Sequence, residues 1–315
     1  MTSTVLVITG PTAVGKTDVA LAIAERYPVA LISMDSAMVY RGMDLGTAKP
    51  SAEVRARHPH ALVDIRDPAQ AYSAAEFVAD ADRAVAAALT TGKVPLLVGG
   101  SMLYLKAFRE GLAELPPADP EVRAAIAAEA DRVGWPALHD ALAAVDPNAA
   151  RGLHPNNQVR VQRALEVYRL TGRPISEWWS EGAGRSAERR LGVRLAEVAV
   201  VPEARGDLAD RITHRFQGML RSGLLDEVAR LKARHDLTLE APSMRSVGYR
   251  QVWEYLEGEG DLDDLAARGA AATRSLAKRQ LTWLKRWSHV TRYRTGGRVD
   301  ALARAIAAHA RLEIS

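Results

Sequence analysis

The chain has 315 residues, of which 48% are hydrophobic and 25% charged, and its 42 Lys and Arg against 38 Asp and Glu give a formal charge of +4. This composition is that of a globular protein and excludes a disordered or fibrous one, and the length allows one large α/β domain or a core with a second lobe. The absence of cysteine excludes disulfide scaffolds, cysteine nucleophiles and thiolate metal sites, and it suits a cytoplasmic protein. The chain has no uncharged apolar run of about 18 residues, so we expect no membrane-spanning helix.

Short β-rich apolar runs bounded by turn residues predict five strands. These are Val5–Thr9, Ala30–Ser33, Val94–Val98, Glu197–Val201 and Val290–Tyr293. Segments of helical period lie between and after them, and the longest are Asp18–Arg26, Ala74–Thr90, Leu208–Ser222, Leu224–His235, Val247–Glu257 and Ala266–Trp287. Strands that alternate with helices indicate a parallel sheet covered on both faces.

A phosphate-binding loop follows the first predicted strand and opens the first helix. Its residues match the pattern G-x-x-x-x-G-K-S/T, and they are Gly10, Pro11, Thr12, Ala13, Val14, Gly15, Lys16 and Thr17. Glycines allow backbone N–H groups to close around phosphate oxygens, and the helix N-terminus adds partial positive charge. Lys16 can reach a terminal phosphate, and the Thr17 hydroxyl can bind Mg²⁺. We therefore expect a loop of the kind that binds nucleotides.

The acidic residue expected beside such a loop follows a different strand from the usual one. Nucleotide hydrolases usually carry a carboxylate at the end of a second core strand, where it organises Mg²⁺. Here Val94–Val98 is followed by Gly99, Gly100 and Ser101, whereas Asp35 follows Ala30–Ser33. This placement suggests a phosphorylated substrate that is not a phosphoryl donor.

The stretch from about Pro116 to Arg194 contains no convincing strand. It has helical patterns at Glu121–Val133, Trp135–Val145 and Asn157–Thr171. We predict an α/β fold, a P-loop core with a central parallel sheet flanked by helices at 1–115 and 197–315, plus an inserted all-helical lobe at 116–196.

Basic residues concentrate in two segments, Arg151–Arg173 and Ala271–Thr295, each with nearby tryptophans. Solvated helix faces often carry such runs. Two runs with interleaved aromatics nevertheless favour a polyanionic partner.

Seven ordered blocks resemble the tRNA dimethylallyltransferases, also called tRNA isopentenyltransferases. They are 35–50, 60–64, 72–77, 99–104, 156–166, 246–251 and 274–287. The resemblance implies transfer of a dimethylallyl group from dimethylallyl diphosphate to N6 of the adenosine just 3′ of the anticodon, in tRNAs reading codons that begin with U. It also implies Mg²⁺ and a helical insertion that contacts the anticodon stem-loop. We separately expect a monomer. A small-molecule kinase and a tRNA-binding protein with a degenerate loop are the alternatives.

The resemblance also assigns roles at the donor end. Residues 10–17, Arg211 and Arg215 would hold the diphosphate, with Lys16, Thr17 and Arg211 taking part in catalysis and Thr17 binding the metal. Asp35 would act as the base, because a carboxylate against the N6 amine can orient it and accept its proton. The alternative for Asp35 is a structural role in capping the turn after the strand.

The residues expected to contact tRNA come from both parts of the chain. They are Asp35, Ser36, Ala37, Met38, Ser101, Arg123, Val159, Arg160, Val161, Gln162 and Arg163. Three positions depart from the family pattern: Met38 replaces Gln, Ser101 replaces Thr, and Asn157, which we interpret as a helix N-cap, replaces Asp. We expect Arg160 and Arg163 to share one helix face, opposite Val161 and Leu165.

Overall fold

The computed structural model describes residues 2–182 and 185–313. The chain separates into two compact units, which we call the core unit (Met1–Arg109 with Ala187–Ser315) and the helical unit (Glu110–Ser186). Within the described residues, no helix has both the length and the apolar character needed to cross a bilayer.

The core unit is built on a six-stranded sheet in which all neighbouring strands are parallel, in the order β3-β2-β4-β1-β5-β6. The strands are β1 (Ser3–Thr9), β2 (Val29–Ser33), β3 (His60–Ala61), β4 (Val94–Gly99), β5 (Val193–Val201) and β6 (Thr291–Arg294). The predicted α/β class and parallel sheet are confirmed. The strand that the sequence did not predict, β3, has only two residues, too few to show a periodic pattern.

Helices cover both faces of this sheet. In the core unit they are α1 (Lys16–Ala24), α2 (Ala52–Arg57), α3 (Ala74–Thr90), α4 (Met102–Glu110, whose last residue begins the helical unit), α10 (Ala187–Leu191), α11 (Arg205–Arg221), α12 (Leu224–Lys232), α13 (Tyr249–Leu256), α14 (Leu262–Arg286) and α15 (Val299–Ala310). Successive residues of β1 enter different apolar clusters: Leu6 and Ile8 pack with α1 and α15, whereas Val5 and Val7 pack with α3 and α12. This alternation follows from the two-residue period of a strand.

The helical unit has its own apolar core. Its helices are α5 (Pro120–Val133), α6 (Trp135–Val145), α7 (Pro147–Arg151), α8 (Gln158–Thr171) and α9 (Ile175–Gly182). Ile126, Leu142 and Val161 are fully buried within it. The core unit resumes at Ala187, ten residues before the predicted boundary at 197, because β5 already pairs with β1 at Ser3↔Val193.

Three strands end at one edge of the sheet, and the loops that follow them form the candidate site. Thr9 at the end of β1 pairs with Gly99 at the end of β4, and Ser33 of β2 pairs with Val98. At the ends of these strands the backbone segments pass so close together that only glycine fits. A Cβ on Gly10 would lie 2.2 Å from the Val200 carbonyl oxygen, and a Cβ on Gly99 would lie 1.9 Å from the Met34 carbonyl oxygen. Ligands of open parallel sheets bind at this carboxyl edge.

Candidate active site

The phosphate-binding loop lies between β1 and α1 as the sequence predicts. Gly15 has φ of 96° and caps the N-terminus of α1, a left-handed conformation that glycine adopts without strain. Lys16 Nζ donates to the Pro11 carbonyl oxygen at 2.7 Å. Lys16, Thr17 and Gly15 line a cavity of about 530 Å³, which we call the P-loop cavity.

Burial lowers the pKa of Lys16 to about 8, while the nearby Asp35 carboxylate opposes that shift and Arg215 adds to it. An ammonium that has lost water without gaining a full counter-charge is poised to bind an anion. The Lys16 side chain therefore suits a phosphate oxygen better than solvent.

Two arginines of α11 add charge to the same cavity. Arg211 and Arg215 are four residues apart and share one helix face, and both line the P-loop cavity. A Cβ on Gly15 would lie 3.4 Å from Arg211 Nη2, which places this guanidinium beside the loop. Burial lowers the pKa of Arg215, although Asp35 and Asp18 oppose the shift. Across residues 2–182 and 185–313, neither arginine has an ion-pair partner within 4.0 Å.

Asp35 follows β2, and the structure shows it capping a turn. One carboxylate oxygen, Oδ1, accepts the backbone N–H groups of Ala37 at 2.8 Å and Met38 at 3.2 Å. A carboxylate has about four acceptor positions, so the cap fixes its orientation and leaves Oδ2 available to a substrate. The structural and catalytic interpretations of Asp35 are therefore compatible.

A second cavity of about 580 Å³ adjoins the first, and we call it the serine cavity after Ser36 and Ser101 in its wall. Ser101 Oγ accepts the Ser36 backbone N–H at 3.0 Å and lies 3.2 Å from Ser36 Oγ. The residues that line both cavities are Thr12, Asp35, Thr47, Gly100, Arg215, Leu276 and Gln280. Asp35 thus lies where the two cavities meet, with Ser36 and Ala37 in the serine cavity and Met38 in the P-loop cavity.

Gln280 was missed by the sequence analysis. Its Oε1 accepts the Thr12 backbone N–H at 2.8 Å, and its Nε2 donates to the Gly100 carbonyl oxygen at 2.8 Å. The available signal was a polar residue on the buried face of α14, between Ala277 and Leu284, where an apolar residue is expected.

The protein oxygens at the phosphate-binding loop suit a metal ion that is held mainly by substrate phosphates better than one held by protein side chains alone. In the part of the chain that the structure describes, no group of three or more His, Asp or Glu side chains could hold a cation. Mg²⁺ usually keeps several waters and binds one or two protein oxygens together with substrate phosphates. The Thr17 hydroxyl in the P-loop cavity matches that mode.

In the helical unit, two of the predicted RNA contacts are committed to a buried carboxylate. Arg123 donates to Glu166 at 2.9 and 3.2 Å, and Arg163 donates to it at 2.7 Å and to the Pro116 carbonyl oxygen at 2.6 Å. Burial opposes ionisation of Glu166, but these hydrogen bonds hold its pKa below the usual value. Arg123 therefore fixes α5 against α8, and Arg163 fixes α8 against the segment before α5, whatever else they contact.

The remaining predicted contacts lie along the start of α8 with different exposures. Val159 is 77% exposed, Arg160 is exposed, and Gln162 Nε2 donates to the Arg123 carbonyl oxygen at 3.1 Å. The side chain of Val161 is fully buried in the apolar core, because residues of one helix turn cannot all face outwards. A contact of Val161 with RNA would therefore involve its backbone.

Two further expectations concern this segment. Asn157 occupies the N-cap position of α8 as predicted, although its side chain makes no capping hydrogen bond. Arg160 and Arg163 differ in environment, since only Arg163 turns towards Glu166.

Most of the basic segment Arg151–Arg173 is paired within the helical unit. Arg169 binds Glu129 at 2.6 Å, and Arg173 binds Glu177 and Glu181. On α14, by contrast, Lys278, Arg279, Lys285 and Arg286 are exposed and have no ion-pair partner among the described residues. Among the described residues, α14 therefore carries a group of four exposed basic side chains without ion-pair partners.

Residues 38–287 match the family model described as IPP transferase. The chain is 56% identical to tRNA dimethylallyltransferase of Burkholderia thailandensis over 90% of this chain and 87% of that one. It is 52% identical to tRNA dimethylallyltransferase 2 of Hahella chejuensis over 90% and 89% of the two chains. The crystal structure of tRNA isopentenylpyrophosphate transferase from Bacillus halodurans is similar with a TM-score of 0.69, 34% identity and coverage of 99% of this chain and 97% of that one.

Proposed function

The chain belongs to the IPP transferase family of tRNA dimethylallyltransferases, and from this premise we propose that it transfers a dimethylallyl group from dimethylallyl diphosphate to N6 of an adenosine in tRNA. The acceptor is the adenosine 3′-adjacent to the anticodon in tRNAs reading codons that begin with U. The observation that carries this proposal is the position of Asp35 at the junction of the P-loop cavity and the serine cavity.

At the donor end, the P-loop cavity would hold the diphosphate. Lys16, Arg211 and Arg215 line this cavity, and cationic donors placed where negative charge develops lower the barrier to its formation. The C–O bond to the diphosphate breaks as the reaction proceeds, so the leaving group gains charge at this position. When bound, Mg²⁺ supplies further positive charge to the diphosphate, and Thr17 is the residue that would hold it.

At the acceptor end, the serine cavity would take the adenine. The exocyclic amine is a weak nucleophile because its lone pair is delocalised into the ring. Asp35 would accept a hydrogen bond from the N6 amine and take one proton as the new C–N bond forms. Its Oδ1 is held by two backbone N–H groups, so the carboxylate is oriented before the substrate arrives.

The RNA must present an adenosine turned out of its stack to reach a cavity of this kind. We propose that the anticodon stem-loop contacts Val159, Arg160 and Gln162 of the helical unit and reaches the serine cavity beside Ser101. The exposed cations of α14 supply a surface suited to RNA phosphates. We further propose that the protein acts as a monomer in the cytoplasm.

A small-molecule kinase is not favoured. It would use the same loop for ATP, but the segment after β4 is Gly99-Gly100-Ser101 and offers no carboxylate for a nucleotide-bound metal. The relatives that match over nine-tenths of the chain are also tRNA dimethylallyltransferases.

The test incubates the purified protein with Mg²⁺, dimethylallyl diphosphate and unmodified tRNA, then digests the RNA and analyses nucleosides by mass. We expect one dimethylallyl group on an adenosine 3′ of the anticodon, and none on a tRNA whose corresponding base is guanosine. A parallel reaction with γ-labelled ATP and no prenyl donor should leave the label in ATP. Transfer of that label to an added small-molecule acceptor, with RNA that stays unmodified in the first reaction, would contradict the proposal.

A further inference from the structure

Gln280 joins two loops that the sheet itself no longer holds together. The last paired residues of β1 and β4 are Thr9 and Gly99. The ladder between these strands goes no further, so the Thr12 N–H and the Gly100 C=O have no partners in it. The Gln280 amide closes that gap with two hydrogen bonds of 2.8 Å. Buried backbone groups are almost always paired, and here one side chain pairs both.

The amide orientation is fixed by its partners. Thr12 offers only a donor and Gly100 only an acceptor, so Oε1 and Nε2 cannot exchange places. Gln280 is 7% exposed, and a Cβ on Gly100 would lie 2.5 Å from Nε2. The neighbouring glycine is therefore part of the arrangement, because any side chain there would push the amide out.

The two loops belong to different halves of the candidate site. Thr12 is part of the phosphate-binding loop. Gly100 precedes Ser101, whose hydroxyl accepts the Ser36 N–H at 3.0 Å next to Asp35. A continuous path of hydrogen bonds and peptide links thus runs from Thr12 through Gln280 and Ser101 to the residue beside Asp35.

We propose that Gln280 is a positioning residue that couples the P-loop cavity to the serine cavity, so that RNA bound in one strengthens diphosphate binding in the other. This inference rests on the proposed function for the identity of the two ligands. Movement of either loop changes the position of the Gln280 amide and hence of the other loop. Coupling of this kind is reciprocal, because each ligand must affect the other by the same factor.

The experiment measures the dissociation constant of inorganic pyrophosphate by calorimetry, with and without a saturating synthetic anticodon stem-loop, in Mg²⁺ buffer. The two probes cannot react with each other, so only binding is observed. For the wild type we expect the stem-loop to tighten pyrophosphate binding by at least about 5-fold, the lower end of typical coupling between sites. In Gln280→Met, which keeps length and volume but removes both hydrogen bonds, the ratio of the two dissociation constants should fall to about one. The loss of two hydrogen bonds lowers the temperature of unfolding, so binding is compared at a temperature where thermal unfolding curves show both proteins folded.

The matched control is Gln70→Leu. The Gln70 side chain also accepts one backbone N–H, that of Asp67 at 3.0 Å, but lines neither cavity, so the wild-type ratio should remain. Gln280→Glu is a second variant, which keeps an acceptor for Thr12 and loses the donor to Gly100. Its ratio should also fall, with weaker pyrophosphate binding alone because negative charge is added.

A coupling ratio that stays at the wild-type value in either Gln280 variant, or a wild type without coupling, overturns the inference. Failure of the proposed function is seen separately, as absence of dimethylallyl transfer by the wild type. If the wild type transfers the dimethylallyl group but its two sites are not coupled, the role of Gln280 is refuted and the proposed function is not.

Discussion

Lys16 should make binding of a diphosphate ester depend on pH in a range where few other groups titrate. Burial lowers the pKa of its ammonium to about 8 in the free protein. A pKa of this value leaves the group about 90% charged near pH 7 and about 10% charged near pH 9. The charged form is the one that binds phosphate, so affinity is greatest below the free-state pKa and falls as pH rises through it.

The size of this pH effect follows from the linkage between proton binding at Lys16 and diphosphate binding. A bound diphosphate stabilises the ammonium and raises its pKa, so binding takes up about half a proton near pH 8 and close to one proton above about pH 9. Between about pH 8 and pH 9 the charged fraction of the free ammonium falls from about one half to about one tenth, and we therefore expect about a fivefold loss of affinity. Above about pH 9 the dissociation constant should rise by about tenfold per pH unit until the pH reaches the raised pKa of the complex.

The assay is calorimetric titration of a non-reactive diphosphate monoester from about pH 6.5 to pH 9.5 at constant ionic strength. Lys16→Arg is the matched control, because a guanidinium stays charged over this range. It should bind more weakly near pH 7, since its geometry differs, but with little change on going to high pH. A wild-type profile as flat as that of Lys16→Arg would refute the reasoning.

Asp35→Asn should lower kcat by about 10²-fold or more, because the amide cannot accept the N6 proton, while the dissociation constant for tRNA, measured by filter binding, changes little. Arg160→Ala should weaken tRNA binding and reduce the slope of log K against log salt by about one. Glu166→Ala should lower the free energy of unfolding by about 1 to 3 kcal/mol, measured with denaturant, because Arg123, Arg163 and the Asp119 N–H lose a buried acceptor.

Each of these predictions has a control within the chain. Asp35→Glu keeps a carboxylate and should retain part of kcat; equal wild-type rates in Asp35→Asn would exclude Asp35 as the base. Arg132→Ala removes an exposed cation of α5, and a salt slope reduced equally by both arginine variants would show a non-specific charge effect. Glu129→Ala breaks only the half-exposed pair with Arg169 and should cost less than about 1 kcal/mol.

The chemistry-bearing segments that are local in sequence could be predicted. The phosphate-binding loop needs only a strand, a glycine-rich turn and a helix start in succession, and the structure has all three at β1, residues 10–15 and α1. The same holds for Asp35, which lies two residues after the end of β2. The boundary at β5 could not be placed in this way, because its first residues alternate with polar ones and are fixed by pairing with β1.

The exposure of the basic segments was harder to predict. Charge spacing along Arg151–Arg173 is typical of an RNA-binding surface, yet Arg163 and Arg173 are held by carboxylates of the same unit. The partner of Arg123 is Glu166, which lies on a different helix. A pattern read along one helix gives the face of each residue but not what the neighbouring helix places against it.

The sequence by itself determined the α/β class, the phosphate-binding loop and the acid beside it, because each depends on residues close together in the chain. Only the tertiary structure placed Asp35 between two cavities and brought Gln280 from α14 to the loops that carry Thr12 and Gly100. The physical reason is that a hydrogen bond depends on distance and direction in space. These are set by how the helices pack on the sheet, which no local periodicity contains.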